Sequence, residues 1–121
     1  MRKIDLTFGW LMILGCIGHT LGTMKYYTAL SDVWVWSLGT SLAGFILGAL
    51  NVLRAIRSPD KAVAAITLPG SAAFVLIAIG FGVAIHNMGD PRVVGNVVIA
   101  TALALFSLST LVKSVRTAGP A

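Results

Sequence analysis

The sequence predicts an all-α integral membrane protein: four transmembrane helices forming one antiparallel, up-down bundle over residues 1–121. Three observations carry this. Of 121 residues, 57% are hydrophobic and 11% charged, with mean hydropathy +0.91, whereas soluble domains carry about 25% charged residues. A chain this short buries only a modest core in water, so lipid is the solvent that fits it. The apolar residues fall into four stretches, each reaching the ~20 residues needed to cross hydrocarbon. The connections between them are short, which sets neighbouring helices antiparallel. An open sheet is excluded, because backbone groups in lipid must be satisfied within a helix or a closed barrel.

The first helix is expected over about 3–24, followed by Tyr26 and Tyr27 where interfacial aromatics belong. Ser31 or Asp32 caps the second helix, about 32–56, which carries Trp34 and Trp36 at its start. Ser58-Pro59 reads as an N-cap followed by proline at the first helical position, opening a third helix over about 59–87. At ~42 Å that helix outruns the ~30 Å hydrocarbon core, so a kink or break is expected at Pro69-Gly70. Asp90-Pro91 repeats the cap-plus-proline signature and opens the fourth helix, about 91–115, leaving the tail 117–121 to fray. Gly18/Gly22, Gly44/Gly48 and Gly80/Ala84 have the spacing that lets helix backbones approach closely in lipid, inside one subunit or at a dimer seam.

Charge sets the direction. The formal net charge is +5, and the basic residues alternate in position. Arg2, Lys3, Arg54, Arg57, Lys61, Lys113 and Arg116 fall at the termini and the middle connection, while only Lys25 and Arg92 fall in the other two connections. By the positive-inside rule both termini face the cytoplasm, as expected for a bacterial cytoplasmic membrane protein. This pattern accounts for the basicity without a nucleic-acid partner. Cys16 is the sole cysteine, so no intrachain disulfide forms. Met-Arg-Lys before an apolar run resembles a signal peptide, but the segment is read here as the first membrane helix.

Polar groups inside a membrane are costly and are the place to look for function. At about 100° per residue, Met12, Cys16, His19, Thr23 and Tyr26 share one face of the first helix, and Asp5 continues it. Topology brings His19 and His86 to the same outer half of the bundle. Together with Cys16, Thr23, Tyr26 and Trp34 they are the candidate ligand-binding residues. Imidazole, thiol and thioether groups suit a soft metal such as copper, with His19, His86, Cys16, Met24 and Met88 as candidates. Two histidines on different helices suit an axially bound haem, although these two lie at different depths. Alternatively, His19 donates a hydrogen bond between helices, Cys16 fills space in the core, and the aromatics form an interfacial belt. Asn51, Thr101, Ser107, Ser109 and Thr110 are assigned no chemistry, since hydroxyls in helices commonly bond to their own backbone.

No phosphate-binding glycine loop, paired-cysteine motif or nucleophile elbow is present, and no acidic residue lies deep in a span. In size and span count the chain resembles the small multidrug resistance transporters, but it lacks the deep first-helix glutamate that carries their proton exchange. It does not match the glycine, arginine and asparagine motifs of fluoride channels. The expectation is a non-enzymatic membrane protein that binds a small ligand or a membrane partner, with an outer-leaflet site near His19 and His86. The alternatives are a structural or assembly subunit and a small transporter or channel acting as a homo-oligomer. No motif requires a cofactor.

Overall fold

The computed structural model describes residues 1–117. It is all-helical, with α1 (Arg2–Tyr26), α2 (Asp32–Ile56), α3 (Lys61–Ala84) and α4 (Pro91–Thr117). All four helices are long and apolar enough to cross a membrane, and only 22–28% of the most apolar stretch of each is buried. Large apolar side chains such as Leu14, Leu21, Trp36, Leu76 and Leu105 point outward. The polar residues Asn51, Arg54, Thr67, Ser71 and Ser107 are fully buried, beside apolar Ala64, Val93, Ala100 and Leu103. A fully buried arginine and a row of outward leucines depart from the usual rule for water-soluble proteins.

Local chemistry explains most of the boundaries. Ser31 Oγ accepts the Trp34 backbone N–H at 3.3 Å, capping α2. Asp90 Oδ1 accepts the Arg92 N–H at 2.8 Å, at the start of α4. The third helix departs from expectation at both ends. It begins at Lys61, because the carboxylate of Asp60, rather than Ser58, accepts the N–H groups of Ala62 and Val63. It stops at Ala84, where His86 turns into the left-handed region at φ 53°. There the Asn87 N–H reaches Gly82 O and the His86 N–H reaches Val83 O. Those two bonds are the Schellman arrangement, which satisfies carbonyls left over at a helix end. Trimming both ends shortens α3 to 24 residues, about 36 Å at helical rise, and the helix runs without interruption through Pro69. The tail beyond residue 117 lies outside the described residues.

The closest helix pairs are α1 with α2 and α3 with α4, and thinner seams join α1 to α4 and α2 to α3. Glycine permits the α1/α2 approach. A methyl group added at Gly9 would meet Val52 Cγ2 at 2.7 Å, one at Gly48 would meet Ile13 Cγ1 at 2.9 Å, and one at Gly44 would meet Cys16 Sγ at 2.5 Å. Contacts on α2 therefore step back from Val52 to Gly44 as α1 advances from Gly9 to Cys16. At Gly82 the same test meets Val93 Cγ1 at 2.9 Å, so α3 and α4 also close tightly. Between these contacts sits a small apolar core of Met12, Cys16, Leu47, Phe74, Ala100 and Leu103. Asp5, Arg54 and Thr110 meet at one end of the bundle, and His19 meets Ser41 toward the other.

Candidate functional site

The expected outer-site residues do not converge as a group. His19 Nδ1 lies 2.7 Å from the hydroxyl of buried Ser41, which ties α1 to α2. His86 is exposed and lies beyond the end of α3, held by the Schellman turn, and no hydrogen bond joins it to His19 among the described residues. Thr23 is buried and donates to the His19 carbonyl at 2.9 Å, within its own helix. Tyr26 is exposed, with the Lys25 ammonium 5.2 Å from its ring centre. Half-buried Trp34 sits in the first turn of α2, and Met24 and Met88 are exposed. Among the described residues no three His, Cys, Asp or Glu side chains cluster to hold a metal ion.

What does form around Ser41 is an apolar groove. An open cavity of about 260 Å³ runs between α1 and α2, lined by Cys16, Ile17, Thr20, Leu38, Ser41, Leu42 and Phe45. Its hydroxyls are those of Ser41 and Thr20, and Thr20 donates to the Cys16 carbonyl at 2.9 Å. Ser41 thus has the groove on one side and an imidazole on the other. Which of the pair carries the shared proton depends on the imidazole tautomer. Near the same end, Arg92 pairs with Asp90, Nη2 to Oδ2 at 2.8 Å. Hydrogen bonding from the Arg92 side chain, more than any other cause, holds the Asp90 carboxyl down at about 2. A carboxyl with a depressed pKa keeps its ion pair at ordinary pH and loses it only as pH falls through that value.

The most developed polar arrangement lies at the opposite end, among residues to which the sequence reading assigned no chemistry. Arg54, in the last turn of α2, is 0% exposed. Its Nη1 donates to Asp5 Oδ2 at 3.0 Å and its Nη2 to Asp5 Oδ1 at 2.6 Å, a two-pronged pair between α2 and α1. Nη1 also donates to Thr110 Oγ1 at 3.1 Å, while Nε and Nη2 reach Asn51 Oδ1 at 3.3 and 3.2 Å. The Asn51 amide donates to Ser71 Oγ at 3.3 Å. Ser107 Oγ lies 3.4 Å from Asn51 Oδ1 and 2.8 Å from Thr67 Oγ1. Seven side chains from all four helices are joined, and among the described residues every buried side-chain nitrogen or oxygen has a partner.

This network extends inward. Ser71 is ten residues into α3, about 15 Å at helical rise. A cavity of about 250 Å³ adjoins its outer edge, lined by Met1, Arg2, Asp5, Ala55, Ser58, Phe106, Ser109, Thr110 and Lys113. The sequence did contain a signal for the network. Ser41, Gly44, Leu47, Gly48, Asn51, Arg54 and Ala55 recur at the three- and four-residue spacing of one helix face. Arg54 is the residue where that buried stripe meets the basic cluster of Arg54, Arg57 and Lys61.

The chain matches no protein family, no curated protein and no solved structure.

Proposed function

We propose that this chain is a membrane-embedded binder of a small amphiphile. In this reading the four helices run antiparallel across a bacterial cytoplasmic membrane with both termini in the cytoplasm, supported by the alternation of basic residues along the sequence. The observation that carries the binding is the position of Ser41: it is buried, it lines an apolar groove, and it is hydrogen-bonded to His19. A ligand's polar head would bond Ser41, and its tail would lie along Ile17, Leu38, Leu42 and Phe45. His19 is a positioning residue that orients the Ser41 hydroxyl. A groove with an apolar body and few polar groups is the usual form of a small-molecule site. His86 plays no part in it.

Photolabelling with a diazirine-tagged decanol in nanodiscs, followed by peptide mapping, tests this reading. Adducts are expected on the segments 17–20 and 38–45. They should fall about fivefold in Ser41→Ala, the equivalent of one net hydrogen bond, and further in Leu42→Trp, which fills the groove. Labelling spread evenly over all four helices and unchanged in both folded variants would remove the site.

A second reading, an assembly subunit, is supported by the outward face of α1, where a methyl group at Gly15, Gly18 or Gly22 would meet nothing within 4 Å. Self-association or co-purification of a second membrane chain, abolished by Gly18→Leu, would favour it; a solitary monomer would count against it.

A further inference from the structure

Helix hydroxyls commonly donate to a carbonyl one turn back, as Thr20 does to Cys16 O at 2.9 Å and Thr40 to Trp36 O at 3.0 Å. Ser41 makes no such bond. Among the described residues its hydroxyl has one partner, His19 Nδ1 at 2.7 Å. A buried hydroxyl proton left without an acceptor is costly, and Nδ1 is the acceptor this one has. Ser41 therefore donates, and the neutral imidazole carries its own proton on Nε2. His19 is an exposed residue, so that second proton is not sealed in the core. We propose that the groove selects amphiphiles whose head is an uncharged hydrogen-bond donor, such as an aliphatic alcohol, an inference that rests on the binding reading above.

Both hydroxyls of the groove wall are committed in the same way. The Thr20 proton goes to the Cys16 carbonyl and the Ser41 proton to the imidazole. What remains toward a ligand is the lone pairs of Thr20 Oγ1 and Ser41 Oγ. The other lining groups are the Cys16 thiol, a weak donor, and the apolar side chains of Ile17, Leu38, Leu42 and Phe45. Backbone N–H groups in mid-helix are already bonded within α1 and α2. A head that only accepts, such as an ether, ketone or carboxylate, would set lone pairs against lone pairs and lose its hydration unrepaid. A head that donates finds an acceptor at the bottom of an apolar slot. No acidic side chain lines the groove, so an ammonium would enter without a counterion. An alcohol donates free of that cost.

The test compares three decyl probes carrying the same diazirine: the alcohol, its methyl ether and the primary ammonium. Labelling is done in nanodiscs at pH 8, above the ordinary imidazole value of about 6.5. Adducts on segment 38–45 are measured in the parent chain and in Ser41→Ala, which gives the baseline of each probe. Leu42→Trp, which fills the groove, gives it if Ser41→Ala misfolds. The alcohol should label the parent about fivefold above its baseline, the equivalent of one net hydrogen bond. The ether and the ammonium should stay at theirs. An ether that rises above baseline as far as the alcohol would mean that the Ser41 proton faces the groove; this overturns the inference and leaves the binding reading standing. An ammonium that rises further than the alcohol overturns it as well. No probe above baseline on 38–45 removes the binding reading, and the inference with it.

Discussion

At Arg54 a guanidinium is held at 0% exposure with donors directed to a carboxylate, an amide oxygen and a hydroxyl. Removing one partner of a buried pair costs about 3–5 kcal/mol, because the other charge is left desolvated and alone. Arg54→Ala should therefore lower stability by about that much in detergent unfolding titrations. Asp5→Leu/Arg54→Met, which removes both charges and keeps apolar volume, should recover most of the loss. An Arg54→Ala variant as stable as the parent would mean that water reaches the pair. The sequence alone made Arg54 look like one more cytoplasmic cation. Its neighbours Asn51, Ser107 and Thr110 looked like helix hydroxyls and amides bonded to their own backbone, and in part they are: Thr110 donates to Phe106 O at 3.0 Å and Asn51 to Leu47 O at 3.0 Å. Their remaining acceptor and donor capacity is what links the helices, and this depends on which faces meet. His19 was legible as a group in need of a partner, but Ser41 could not be named as that partner without the register of α1 against α2.

Among the elements, α1 and α2 show why spacing alone does not specify an interface. Gly18/Gly22 and Gly44/Gly48 are equivalent patterns in the sequence. In the structure a methyl group at Gly44 would meet Cys16 Sγ at 2.5 Å and the Phe74 ring at 3.0 Å, while one at Gly18 or Gly22 would meet nothing within 4 Å. Gly44→Ala should cost about 1–3 kcal/mol through overpacking. Gly18→Ala should be neutral or stabilise by up to ~1 kcal/mol, since alanine is the better helix former. Unfolding titrations of the two variants side by side check this, and equal losses would contradict the assigned register. Helix count and most boundaries were legible because caps such as Ser31 and Asp90 act locally. The ends of α3 were not, because Asp60 displaces Ser58 as cap and His86 takes a left-handed conformation usually left to glycine or asparagine.

For the whole molecule, apolar composition and the alternation of charge were sufficient to read a four-helix chain with membrane-length helices. The orientation proposed above has a direct test. In a Cys16→Ala background, a membrane-impermeant maleimide should label Asn87→Cys in intact cells and Ser58→Cys only after permeabilisation. The reverse pattern would invert the topology. The two cavities differ in chemistry, one beside a hydroxyl–imidazole pair and one lined by Arg2 and Lys113.

The Asp5–Arg54 pair also bears on biogenesis. Both charges belong to α1 and α2, so in the membrane reading this pair can form before α3 and α4 have been synthesised. The Ser71, Ser107, Thr67 and Thr110 hydroxyls arrive later and complete a polar surface whose formal charge has already been cancelled. The second half of the chain thus meets the first through the Arg54–Thr110 bond, the Asn51–Ser71 and Ser107–Asn51 bonds and apolar contacts such as Phe8 with Phe106.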